Sequence, residues 1–548
     1  MHSIQIKGVT LDIEQAIKRV KVDLKDDWFQ DPLKYEDILT LDYVIKKIQS
    51  RIDVNSGEYK ASKALHIDIP KPGFSIRYAT ETDIIDRVVY QSLIDFIAPE
   101  LDALHSRAVY SHRLNTTRGS NKYFLRYAVD DWKKFIADTE LELGSAENSV
   151  LLLTDLTNFF ENIGIKDLKD ALELFAPAST NPDNYKNCIS QLKAILDTWA
   201  EKNTKRGIPQ NRDASSFLAN IFLHPVDDKM LKDGHKYFRY MDDIRIVCKS
   251  KFEARRALKL LITELRRKGL NVNSKKTKIL DYNNLDQRKE IEESLKKTDR
   301  KIDQIEALLK ARTAREIQIA VPMLRTKVLS LIENNNTLDR EFRYCINRLE
   351  RFARNDSLSS RINFSPITDR IISELVEQPW STDTFVRYLS SVHLSDEQVS
   401  SIKFLLLDEQ RNLYEWQSFY LWILLARNGT VAEDLLTKAR SNMKSLMNHP
   451  VAAASFLYLG VAGDQNDRKS VAEHFKNLND HLTQRFALLA TKNMPYESVI
   501  KAHVQDHVHE IYRGTYKILS EKYNNQFFLP LEKLTENDLY EDLPDDIS

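Results

Sequence analysis

The chain has 548 residues, of which 42% are hydrophobic and 29% charged, with only 13 glycines. That length exceeds one ordinary core and calls for two or three domains, and the hydrophobic share excludes a disordered chain. Its 80 basic side chains are balanced by 80 acidic ones, so affinity for a polyanion has to come from local clusters and not from the sum.

Scarce glycine with abundant Leu, Lys, Glu and Arg favours a largely helical protein. Cys188, Cys248 and Cys345 are far apart, which suggests neither a disulfide framework nor a zinc site. The N-terminus lacks the apolar core of a signal peptide, and no apolar run is long enough to span a bilayer. A cytoplasmic setting with no membrane partner is expected.

In chain order, residues 1–145 mix helical patterns with short strands. KALHIDIPKPGFSIRYAT has β-rich ends around Lys71-Pro72-Gly73, a turn signal, and predicts a hairpin. The following ETDIIDRVVYQSLIDFIAPEL repeats apolar residues at three- and four-residue steps, as an amphipathic helix does. Residues 146–283 carry the strongest strand signals. NSVLLLTD is an apolar run ending in a carboxylate, and HKYFRYMDDIRIVCKS is two β-rich halves meeting at Asp242-Asp243. Residues 284–336 read as charged surface helices, and 337–530 as one amphipathic helix after another, without a fixed repeat. Residues 531–548 form an acidic tail, with seven acidic residues and one Lys. Between Lys251 and Leu280, ten Lys/Arg face only Glu253 and Glu264. Such a run suits a phosphate backbone, and a solvated helix face equally well.

The chemistry concentrates in three acids. Phosphoryl transfer to a hydroxyl requires two divalent cations about 4 Å apart, held by a few carboxylates that converge from rigid strands. Asp155 at the end of one strand and Asp242-Asp243 at the tip of a hairpin meet that need. Taken singly, an Asp after a strand is usually a helix cap and an Asp pair at a turn is usually turn chemistry. Their order along the chain favours the catalytic reading.

Around these acids the chain resembles the reverse transcriptase family, over roughly residues 65–285. TDLTNFFENI resembles motif A, GIPQNRDASSFLANIFL from Gly207 motif B, RYMDDIRIV motif C, and GLNVNSKKTKIL from Gly269 motif D. IPKPGFSIRYATETDIIDRVVYQ and VYSHRLN from Val109 resemble fingers segments. The resemblance implies a polymerase right hand of α+β class, with fingers and an antiparallel palm sheet with helices, followed by an all-α C-terminal domain. It implies DNA synthesis from dNTPs with two Mg²⁺ ions, or Mn²⁺ in their place. Asp155, Asp242, Asp243 and the Leu156 carbonyl would hold the metals. Lys71, Arg77, Phe160, Gln210 and Lys276 would serve the nucleotide, with Phe160 as the gate against a 2′-hydroxyl. Phe159 and Phe160 share one apolar stretch, so one of them belongs to the core. Arg113, Arg266, Arg267 and Lys268 are expected on nucleic acid. Tyr240 suits packing and primer contact equally.

Motif B departs from the familiar pattern. Asn211 follows the motif's Gln where most members have Gly, and Ser215-Ser216 stands in place of Ser-Pro. In this it is closer to the bacterial abortive-infection, antiphage reverse transcriptases, which also carry a long helical C-terminal region. Some of those synthesise DNA without a conventional template, some prime on a protein hydroxyl, some copy a noncoding RNA, and several form homo-oligomers. Tyr540 is a candidate priming residue. Two alternatives are a retron- or intron-type enzyme and a catalytically silent nucleic-acid-binding scaffold.

Overall fold

The computed structural model describes residues 3–538 apart from 118, 146, 201–203, 296–299, 311–313, 495–505, 510, 511, 536 and 537. The chain divides into two units. The first comprises Met1–Asp27, Thr40–His66 and Ala79–Thr298; the second comprises Trp28–Leu39, Ile67–Tyr78 and Asp299–Ser548. These units cut across the expected domains, because two short N-terminal segments group with the helical half.

The first unit opens with an antiparallel hairpin, β1 (Ser3–Ile6) and β2 (Val9–Asp12). A helix over Ile13–Asp23 follows, capped by the Asp12 carboxylate. The predicted amphipathic helix runs over Ile84–Asp102 and starts at Asp83, whose side chain accepts from the N–H groups of Ile85 and Asp86. It is buried along most of its length.

The centre of the unit is a four-stranded sheet of β5 (Val150–Thr154), β6 (Lys236–Tyr240), β7 (Asp243–Cys248) and β8 (Lys278–Asp281), in the order β6-β7-β5-β8. Every pair is antiparallel. As a central strand, β5 has nearly all its residues buried, which explains its unbroken apolar run. Leu151 stands opposite both Val247 and Leu280 in register. These three pack with Leu143 and Ile291 into one core. The helix over Lys251–Arg267 begins at Ser250, whose hydroxyl accepts from the Glu253 N–H, and turns Ala254, Ala257, Leu261 and Leu265 inward.

The second unit is built from helices. The Pro450–Ala462 helix is buried on every side from Pro450 to Gly460, which accounts for its uniformly apolar sequence. It packs among the helices over Glu415–Arg427, Glu433–Ser445 and His481–Thr491. Gly460 makes the last crossing possible, since a Cβ there would lie 2.5 Å from the Ala490 Cα. Residues 28–39 are part of this unit's core. The Trp416 indole donates to the Trp28 carbonyl at 2.8 Å, and the Phe29 and Phe419 rings meet edge-on at 4.6 Å. Arg485, wholly buried, bridges Asp31 and Asp37 at 2.6 Å each. The predicted hairpin is present as β3 (Leu65–Pro70) and β4 (Ile76–Glu81), with Gly73 (φ 75°) and Phe74 (φ 58°) in its turn.

Candidate active site

Asp155 follows β5 directly, and the chain beyond it is zipped to the segment before β8. The Asn273 N–H donates to the Asp155 carbonyl at 2.7 Å and the Thr157 N–H to the Asn271 carbonyl at 2.9 Å. Neither bond uses the carbonyl of Leu156, which pairs with Val272 across this bridge. The Thr154 and Thr277 hydroxyls meet at 2.8 Å. This lacing brings Lys276 over the acid, its Nζ 2.5 Å from an Asp155 carboxylate oxygen.

Asp242 and Asp243 lie at the β6–β7 hairpin. Tyr240 pairs with Asp243, so Met241 and Asp242 make the two-residue turn. Met241 has φ 55°, a left-handed conformation unusual for a long side chain. The turn is clamped from both sides. The Met241 N–H donates to the Ser111 hydroxyl at 2.6 Å, and its carbonyl accepts from Arg239 Nη1 at 3.0 Å. Arg239 has no exposed surface and also holds Asp227 through Nε and Nη2 and the Asn220 side-chain oxygen. The Asn220 amide in turn donates to the Ser111 carbonyl at 2.7 Å. The Ala108 carbonyl and the Tyr110 N–H bond the backbone of Arg239, extending the sheet edge at β6.

Burial and the nearby Asp155 carboxylate push Asp242 up to about 7. Burial also raises Asp243, against the pull of Arg245 3.7 Å away. Burial works against the Lys276 ammonium, but the Asp155 contact and the other two carboxylates outweigh it and raise its pKa. The donors are all oxygens, charged and mutually repelling, which fits Mg²⁺ better than a softer metal. Among the described residues no three His, Cys, Asp or Glu side chains are gathered into ligating geometry, and the Lys276 ammonium is paired with Asp155.

The remaining expected residues have these positions. Phe159 is buried and Phe160 half-buried, their rings 5.5 Å apart. The Phe160 carbonyl accepts from the Ile208 N–H, which ties motif A to motif B, and Gln210 is buried. Asn211 has φ 58°, the backbone conformation that a glycine takes freely, and its amide donates to the Asp26 carbonyl at 3.1 Å. Tyr240 packs edge-on against Trp132 at 5.0 Å and donates to the Ala128 carbonyl. Lys71 and Arg77 belong to the second unit; the Lys71 N–H closes the hairpin turn on the Ser75 carbonyl, and Arg77 lies over Trp28.

Two expected nucleic-acid contacts are placed elsewhere. The Arg113 guanidinium is committed to Asp102, with Nε and Nη2 on the two carboxylate oxygens at 2.8 and 3.1 Å. Lys268 lies over the Phe222 ring, where burial lowers its pKa. Arg266 and Arg267 are exposed. Tyr540 lies outside the described residues. Ser111, Asn220, Asp227 and Arg239 are the site's structural supports that sequence reasoning did not single out, although VYSHRLN had marked the neighbourhood.

Residues 69–310 match the family model for reverse transcriptase (RNA-dependent DNA polymerase). That stretch is a reverse transcriptase domain. Two solved structures of apo telomerase from Candida tropicalis are similar to the chain. One, truncated from its C-terminal domain, has 15% identity and a TM-score of 0.30 over 40% of this chain and 50% of that one. The other has 11% identity and a TM-score of 0.32 over 84% and 72%. The chain thus spans half the length of the first. No curated protein matches it by sequence. Among the described residues no helix is long and apolar enough to cross a membrane.

Proposed function

We propose that the protein joins deoxynucleotides by two-metal-ion catalysis at Asp155, Asp242 and Asp243, in the manner of the bacterial antiphage reverse transcriptases. The observation that carries this reading is the clamped Met241-Asp242 turn beside Asp155. It keeps two half-buried carboxylates close to a third acid at the cost of strained backbone and raised pKa values.

The three acids and the Leu156 carbonyl would hold two Mg²⁺ ions. When bound, the metals activate the attacking hydroxyl and stabilise the leaving pyrophosphate. Lys276 is the counter-cation of Asp155 and, once displaced, would assist the departing pyrophosphate. Phe160, half-buried beside motif B, would close the sugar pocket against a 2′-hydroxyl. Within the same reading, Lys71 and Arg77 reach the triphosphate, the protein acts as a cytoplasmic homo-oligomer, and synthesis is untemplated and protein-primed or copies a noncoding RNA.

One experiment separates these branches. Purified protein is incubated with labelled deoxynucleotides and Mg²⁺, then digested with nuclease and run on a denaturing gel. Label that stays on the protein after boiling supports self-priming; label only on free nucleic acid assigns a nucleic-acid primer. Either product should vanish in Asp242→Ala and Asp243→Ala while the fold and its melting temperature hold or rise, since removing one carboxylate relieves repulsion. Incorporation at the wild-type rate in either variant would sink the metal assignment.

A further inference from the structure

The basic run after motif C forms an ordered surface once it is folded. The Lys251–Arg267 helix buries Ala254, Ala257, Leu261 and Leu265, and on its opposite face Phe252, Arg255, Arg256, Lys259, Arg266 and Arg267 are exposed. Their spacing of three, four and seven residues keeps them on one side of the helix.

Acids one turn away answer some exposed helical lysines of this unit, Lys18 by Glu14 and Lys232 by Asp228. On the strip only Arg267 is answered, by Glu264 at 2.9 Å. Among the described residues Arg255, Arg256, Lys259 and Arg266 have no acidic partner. The strip thus carries four cations without an acidic partner on one helix face, in a chain of zero formal net charge.

At the strip's N-terminal end Phe252 is 76% exposed, with the Arg255 guanidinium 5.9 Å from its ring centre. A large exposed ring beside a row of arginines is the combination that stacks an unpaired base and follows its backbone. From Phe252 to Arg267 the helix is about 22 Å long. That gives room for about six phosphates at about 3.4 Å each along one strand.

We propose that this helix face is a docking strip for the phosphate backbone of a single-stranded nucleic acid, with Phe252 as the stacking surface for a base. The strip keeps Arg266 and Arg267 from the sequence-based expectation and replaces Arg113 and Lys268 with Arg255, Arg256 and Lys259. Its exposed aromatic favours nucleic acid over an acidic peptide, which would need only the charges.

The test uses the full chain and a fluorescein-labelled oligouridylate, with binding followed by anisotropy across a salt series. The variant R255Q/R256Q/K259Q should lower affinity by about tenfold or more, and the slope of log K against log salt should flatten by roughly 2, three cations at about 0.7 each for a single strand. Phe252→Ala should weaken binding and leave the slope unchanged. Asp242→Ala should bind as the wild type does, so the result stands apart from the proposed polymerase activity. A triple variant that melts normally and binds with unchanged affinity and slope overturns the proposal. Tighter binding of polyglutamate than of the RNA also overturns it, and assigns the strip to an acidic protein partner.

Discussion

The Met241 amide is the smallest feature on which the proposed site depends. Ser111 is fully buried, and its hydroxyl accepts from that amide at 2.6 Å. Ser111→Ala would leave a buried donor unmade, a loss of about 1–3 kcal/mol in stability. The Met241-Asp242 turn would then drift, so kcat should fall about tenfold or more at unchanged KM for dNTP, because misplacement by a fraction of an ångström weakens the reacting geometry more than substrate binding. A proportionate rise in KM in steady-state incorporation would contradict this. Phe160→Ala should admit ribonucleotides, since a ring rejects a hydroxyl by size; paired single-nucleotide incorporation of deoxy and ribo substrates measures it, and unchanged discrimination would return Phe160 to a packing role. The placement of the three aspartates, one after a strand and two at a hairpin, was legible in the sequence from the β-rich runs that flank them. Ser111 and Asn220 were not. Their bonds join residues 130 and 109 positions apart, and nothing local marks a serine as the acceptor for a distant turn.

At the scale of elements, the sheet and its Asp242-Asp243 hairpin were legible from β-rich runs bounded by polar turns. The extra pairing of residues 108–110 along β6 was not, because one short segment without alternation carries no strand signal. Motif B illustrates the same limit differently. Asn211 reads as a loss of glycine, yet its backbone keeps the left-handed conformation at φ 58° and its side chain adds a bond to Asp26. Substitution type alone does not report conformation, since Asn tolerates that region better than other non-glycine residues. The elements around Arg239 also set a pH response. Burial, then the Arg239 guanidinium, lower His112 to about 4, and the same two influences, among others, hold His105 well below its ordinary value. An unfolded histidine takes up its proton near pH 6.5. The unfolded chain therefore gains protons before the folded one does, and stability present above that pH is lost as pH falls toward 4. The His112 contribution amounts to roughly 3 kcal/mol at its limit. Thermal melts should show the loss between neutral and acid pH, and His112→Asn should flatten it; an equally steep fall in the variant would assign the response to other groups.

At the scale of the whole molecule, the helical composition and the long helical C-terminal region were legible. The division into units was not, because residues 28–39 carry no marker that they belong with helices hundreds of positions away. Arg485 is the test of that membership. Arg485→Ala would leave Asp31 and Asp37 buried without a cation, which costs about 3–5 kcal/mol. The variant should melt far below the wild type and regain much of the loss when Asp31 and Asp37 are also neutralised to Asn; no recovery in that triple variant would show that the pair is not the source. Truncation near residue 335 should fail for the same reason, exposing Trp28, Phe29, Leu33, Ile38 and Leu39, and should yield aggregated protein in size-exclusion chromatography.

The threading of residues 28–39 also orders events during synthesis. Trp28 leaves the ribosome 388 residues ahead of its partner Trp416, and Asp31 leaves 454 residues ahead of Arg485. At about 5–20 residues per second the early segment waits roughly 20–90 s for the helices that enclose it. Throughout that interval its aromatic side chains are open to chaperones or to a neighbouring nascent chain. Residues 28–39 are thus enclosed long after they are made.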